Sequence, residues 1–185
     1  YYKKNWGFCI TENQKQEIKK KYHNKDFFKV KIDSSFKKRG KMYYGELFIK
    51  GKTDKEILVS TYICHPSMAN NELSGPVVAL SLISYFSKLK NKYSIRFLFL
   101  PETIGAIAYL SANLTKLKKN VIGGYNLTCI GDEKNHSYIL SKYRNSPSDF
   151  ALLEAYKKLK IKNKREFSFL ERGSDERQYN SPGID

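Results

Sequence analysis

From Glu56 onward, continuous apolar runs alternate with stretches whose apolar positions recur every three or four residues. Residues 57–64 carry no charge, as in a strand buried on both faces. A helix is predicted over 76–88, with Pro76 in its first turn and Val78, Leu82, Phe86 and Leu89 along one face. Residues 93–100 predict a second buried strand, 103–117 a second helix and 121–130 a third strand. Ser146 reads as the cap, and Pro147 as the first turn, of a helix reaching Leu159; a last strand is expected over 166–170. Strand and helix in alternation predict an α/β fold: a mixed, mainly parallel sheet with helices on both faces.

Ahead of Glu56 the pattern changes. Phe27-Phe28-Lys29-Val30-Lys31-Ile32 alternates apolar and basic residues, the period of a half-exposed strand. Residues 41–49 read as a second strand, with Lys37-Lys38-Arg39-Gly40 as the hairpin turn between them. A polar helix over 11–22, capped by Thr11, precedes the pair. Residues 1–55 are therefore expected to form a small β-rich module, and 56–185 an α/β domain incomplete at its C-terminal end. The chain starts at Tyr1 without an initiator Met and stops at Ser181-Pro182-Gly183-Ile184-Asp185, which reads as a turn into a further strand. Both ends predict a fragment of a larger protein.

Composition narrows the classes. A 41% hydrophobic content over 185 residues can build a core. No apolar run approaches the roughly 20 residues of a membrane-spanning helix, so no membrane partner is expected. Three cysteines, Cys9, Cys64 and Cys129, are odd in number and form no CxxC pair. This argues against a disulfide framework or a Cys-based structural zinc site, and a reducing cytoplasm is expected. The net charge of +16 comes from lysine clusters such as Lys19-Lys20-Lys21, while Arg, the usual reader of base edges, is scarce. A solvated basic surface is expected in preference to a nucleic-acid partner.

Functional residues of open α/β sheets gather just beyond the carboxyl ends of the strands. The three core strands end at His65, at Pro101-Glu102 and at Gly131-Asp132, bringing a His, a Glu and an Asp to one sheet edge. Such a set can hold zinc and place a carboxylate beside the attacking water.

The local sequences are more specific. Cys64-His65-Pro66-Ser67-Met68-Ala69-Asn70-Asn71-Glu72-Leu73-Ser74-Gly75 resembles the metal-ligand segment of the co-catalytic zinc aminopeptidases, which share a fold with glutaminyl cyclases. With Trp6-Gly7-Phe8-Cys9, Tyr44-Gly45-Glu46, Pro101-Glu102-Thr103-Ile104-Gly105, Gly131-Asp132-Glu133 and Gly173-Ser174-Asp175-Glu176-Arg177-Gln178, it resembles more closely the bacterial aminopeptidase-like proteins of polysaccharide-biosynthesis loci.

The resemblance implies roles for particular residues. His65 would be a zinc ligand, and Asn71, in the position of a ligating and often bridging Asp, would anchor the metal with it. Glu72, one helical step of about 100° further on, is not expected to replace it. Glu102 matches the general base. Thr103 stands where the relatives carry a second liganding Glu, and Thr128 where they carry an Asp. Asp132 would serve as a ligand if its loop folds back. Asp175 and Glu176 would line the substrate's amino end, and a closing His would lie beyond Asp185. These substitutions favour one zinc over two. The implied function is zinc-dependent hydrolysis of an N-terminal peptide bond or of a related amide on a sugar-linked substrate. The alternative is a non-catalytic binding or scaffold relative with a degenerate metal site.

Overall fold

The computed structural model describes residues 9–23, 26–33, 35, 37–65, 68–171 and 173–181. The sequence expectations for Trp6-Gly7-Phe8 and for the segment after Ser181 lie outside the described residues. Two compact units are present, Tyr1–Gly40 and Lys41–Asp185.

In the first unit, helix α1 (Glu12–Lys21) begins at Thr11, as its sequence predicts. Thr11 Oγ1 accepts from the Gln14 amide at 3.2 Å, and Gln14 Oε1 accepts from the Thr11 amide at 2.9 Å. The reciprocal pair satisfies two amides that a helix start leaves open. Residues 27–32 form no strand, and Phe27, Phe28, Val30 and Ile32 are exposed. The turn at 37–40 closes, Gly40 donating to the Lys37 carbonyl, but no hairpin is built on it. An alternating pattern makes a strand only where an edge is free to pair, and the expected partner is engaged elsewhere.

That partner is β1 (Gly45–Ile49), an antiparallel edge strand on β3 (Ser94–Leu100). The sheet of the second unit runs β1-β3-β2-β4, with β2 (Glu56–Tyr62) parallel to both β3 and β4 (Val121–Asn126). It is therefore mixed and mostly parallel, as the alternation of elements predicts. On one face, Leu58, Leu98 and Leu100 pack with Ala106, Tyr109, Leu110 and Leu117 of α3 (Ile104–Asn120). On the other, Val59, Ile95 and Phe97 pack with Ala79, Leu82, Ile83 and Phe86 of α2 (Ser74–Phe86). Residues buried on both faces explain why β2 and β3 read as unbroken apolar runs.

β5 (His136–Ile139) pairs in parallel with β6 (Lys164–Phe167) as a separate two-stranded sheet. Helix α4 (Pro147–Lys158) starts as predicted, with Ser146 Oγ accepting from the Asp149 amide at 3.1 Å. Burial acts against the Asp149 carboxylate. Hydrogen bonds from Ser141 and Ser146 outweigh it and hold the group below its ordinary range. Helix α5 (Asp175–Asn180) was not legible from periodicity, because only Asp175 and Tyr179 of its six residues are buried. Among the described residues no helix is long and apolar enough to cross a membrane.

Candidate functional site

Because β2, β3 and β4 run parallel, their carboxyl ends open at one edge, and the chain leaves each of them with polar residues there. Between β2 and α2 the chain makes a π-helical turn, Ala69–Leu73, whose Glu72 amide donates to the Met68 carbonyl at 2.8 Å. This turn sets the directions of the Asn71 and Glu72 side chains.

Glu72 points back to the end of β2 and is buried. Its carboxylate accepts from the Cys64 amide at 2.5 Å, and the Cys64 thiol lies 3.8 Å from its other oxygen. The ligand atoms of Cys64, His65 and Glu72 all lie within 4.8 Å of one another. His65 Nε2 is 3.5 Å from Glu102 Oε2, and Cys64 Sγ accepts from the Glu102 amide at 3.3 Å. Burial, with the carboxylates of Glu72 and Glu102, pushes the Cys64 thiol up, so the sulfur is a poor anion until a cation arrives. Cys64 and Glu72 escape the sequence reading. Glu72 was placed one α-helical step beyond a helix start, whereas the π turn delays α2 to Ser74 and swings Glu72 inward.

Asn71 faces elsewhere. Its Nδ2 donates to Tyr62 Oη at 3.0 Å and to Cys129 Sγ at 3.4 Å, and its buried Oδ1 has no hydrogen-bond partner. Tyr62 is also bonded to Thr128, and burial pushes its hydroxyl up to about 12. Asp132 is exposed and caps its own loop, accepting from the Lys134 amide at 2.8 Å. Among the described His, Cys, Asp and Glu residues the clustered donors are Cys64, His65 and Glu72, and Asp132 is not in that group. Asn70 and Ser74 instead clasp the β4 exit: Asn70 Oδ1 accepts from the Gly131 amide at 2.8 Å, and Ser74 Oγ from the Ile130 amide at 3.0 Å.

The donor set fits one zinc ion: a thiolate, an imidazole and a carboxylate are three protein ligands that leave a fourth position open, with Glu102 beside it. An open cavity of about 540 Å³ adjoins the cluster, walled on its apolar side by Ile63, Met68, Leu73 and Pro76.

Glu176 and Asp175 lie at the start of α5. Both oxygens of Glu176 are bonded within the protein, to the Ser174 amide at 2.5 Å and to Asn126 Nδ2 at 2.9 Å. Asp175 is 0% exposed, and its carboxylate faces the Thr103 amide, 2.7 Å away, with no surface open to a substrate's amino group. Burial pushes Asp175 up to about 6, against the pull of the Thr103 amide and helped by Glu102 and Glu176. The unfolded group titrates near 3.8, so between roughly pH 4 and 6 the folded chain holds a proton that the unfolded chain has released. This contribution is complete below pH 4 and is lost as pH rises through 6. Asp175→Asn is expected to remove about 3 kcal/mol of that pH dependence, from two units at about 1.4 kcal/mol each. Urea unfolding of both proteins between pH 4 and 7 checks this; parallel stability curves would contradict it.

A Clostridium acetobutylicum protein named for polysaccharide biosynthesis and an aminopeptidase-like domain is 43% identical over an alignment of 187 positions that covers all of this chain. The chain spans 41% of the length of that relative. The crystal structure of a C. acetobutylicum protein named as a peptidase matches with a TM-score of 0.70 at 45% identity, over 76% of this chain and 33% of that one. BSAP, a zinc aminopeptidase from Bacillus subtilis, matches at 0.62 and 19% identity, over 77% of this chain and 37% of its own. A glutaminyl cyclase from an Acidobacteriales bacterium matches at 0.61 and 17% identity, over 77% and 56%. The resemblance read from the motifs thus stands: the chain is related to aminopeptidase-like bacterial proteins and shares its fold with zinc aminopeptidases and glutaminyl cyclases. The family described as Domain of unknown function (DUF4910) matches residues 10–185, a span that takes in the sheet and every residue of the candidate site, and the chain belongs to that family.

Proposed function

We propose that the chain carries the one-zinc site of a hydrolase that cleaves an N-terminal peptide bond or a related amide. The observation that carries this reading is the convergence of Cys64, His65 and Glu72, with Glu102 alongside, at the carboxyl edge of a parallel sheet. Those three residues would hold a zinc ion, which would supply the positive charge that polarises the scissile carbonyl. Glu102 takes the proton of the attacking water on Oε2 while Ser174 holds Oε1, so the base acts from a fixed direction. The apolar cavity receives a side chain or acyl group next to the scissile bond. The relative's name, which speaks of polysaccharide biosynthesis, supports a link of the reaction to that process. Three exposed, unpaired cysteines support a reducing cytoplasm.

Zinc titration and hydrolysis of aminoacyl p-nitroanilides test the reading. One zinc per chain is expected, with affinity lowered at least about tenfold by Cys64→Ser. Glu102→Gln is expected to lower kcat by on the order of 100-fold or more at unchanged zinc content. Asn71, neutral and turned toward Tyr62, favours the second reading, a scaffold with a degenerate site. Absence of zinc from both the protein and its Asn71→Asp variant would establish that reading instead.

A further inference from the structure

Glu102 sits at a strained point of the backbone. Thr103, a β-branched residue, has φ 61° and ψ −67°. The Ile104 amide donates to the Glu102 carbonyl at 2.7 Å, so residues 102–104 form a γ-turn of the rare positive-φ kind. Such a conformation at a non-glycine residue persists only where its surroundings over-determine it. The surroundings here are Ser174 and Asp175, each 72 positions from the residue it contacts. Asp175 accepts from the Thr103 amide at 2.7 Å, and in return Ser174 Oγ donates to Glu102 Oε1. Asp175 is completely buried and its carboxylate makes no other hydrogen bond among the described residues; its Oδ2 is unpartnered. A charged or neutral acid with one oxygen idle is a costly way to fill space, and holding the turn accounts for its presence.

We propose that Asp175 is a positioning residue, which with Ser174 clamps the Thr103 γ-turn and thereby aims Glu102 at His65. Its catalytic consequence rests on Glu102 being the base; the clamp itself does not. Glu102 leaves β3 at the turn, and with the turn closed it lies 3.5 Å from His65 Nε2. Asparagine at 175 keeps an oxygen for the Thr103 amide, alanine does not, and glycine at 103 adopts positive φ without strain.

The test needs neither zinc nor substrate. Long-range 1H–15N spectra of the His65 ring and hydrogen exchange of residue 103 are read in the full chain and its variants. Asp175→Ala is expected to move the His65 Nε2 signal to its position in Glu102→Gln and to speed exchange of the Thr103 amide at least about tenfold. Asp175→Asn, and the double variant Asp175→Ala/Thr103→Gly, are expected to keep the wild-type His65 signal. An unmoved signal in Asp175→Ala would overturn the proposal, as would an equal displacement in the double variant, which a merely space-filling role predicts. If Asp175→Ala does not fold, a displaced signal in Asp175→Asn would overturn it equally. A protein without hydrolase activity that shows the expected spectra loses the proposed function and keeps the clamp; an active one with unchanged spectra does the reverse.

Discussion

Arg96→Met is expected to destabilise the Lys41–Asp185 unit by about 3–5 kcal/mol, the largest loss for a single side chain outside the apolar core. Arg96 lies in the middle of β3, only 3% exposed, and the Glu56 side chain at the start of β2 is 2% exposed. Its guanidinium donates to both oxygens of that carboxylate, at 2.7 and 3.0 Å, and to Glu46 on β1. The Phe48 ring stacks on the guanidinium with 4.7 Å to its centroid. Burial acts against the charge, and the Glu56 hydrogen bonds, with Tyr109 and Glu46, more than offset it, holding Arg96 above the ordinary guanidinium value. Removing only the arginine leaves the buried Glu56 carboxylate with Asn120, at 3.4 Å, as its remaining side-chain donor among the described residues. Equilibrium urea unfolding measures the loss. Arg96→Met/Glu56→Gln should recover most of it, since no charge is then stranded. A single substitution costing less than about 1 kcal/mol would show that water reaches Glu56.

The elements were legible wherever burial on two faces wrote itself into composition. β2, β3 and their helices follow directly from the apolar runs and from Pro76, Ser146 and Pro147. Pairing was not legible for β1. An alternating strand advertises one buried face and no partner, so 41–49 was joined to its sequence neighbour, whereas Gly45 to Ile49 lie opposite Phe99 to Ile95. The site shows the same division. His65 and Glu102 emerge from the rule that parallel strands deliver their exits to one edge. Cys64 and Glu72 do not, because one π turn rotates Glu72 inward and no residue pattern announces that turn. Asp175 was expected to line the substrate's amino end, whereas its carboxylate is buried against the Thr103 amide, a contact across 72 positions of sequence that no local pattern announces.

Gly75→Ala joins fold and site in one substitution. A Cβ at Gly75 would lie inside the contact radii of the Leu127 carbonyl oxygen and Thr61 Oγ1, which are themselves hydrogen-bonded at 2.9 Å. A carbonyl fixed in the exit of β4 cannot swing aside as a flexible side chain can, so the first turn of α2 must lift from the sheet. Lifting it breaks the bonds from Ile130 to Ser74 and from Gly131 to Asn70, and draws Glu72 away from Cys64. The expected loss is at the upper end of overpacking effects, about 3 kcal/mol or more. Gly45→Ala is the control: its Cβ would meet the Phe99 ring at 3.5 Å, an ordinary contact, and stability should change little. Urea midpoints of the two variants give the first comparison, and zinc titration at a temperature where both are folded gives the second. A Gly75→Ala protein with the wild-type midpoint would mean that α2 is not seated on the sheet through this glycine. One with a lowered midpoint and undiminished zinc affinity would separate the seating of α2 from the placement of Glu72. If both fall together, close packing at a single glycine is what brings the buried carboxylate to the cysteine and histidine at the end of β2.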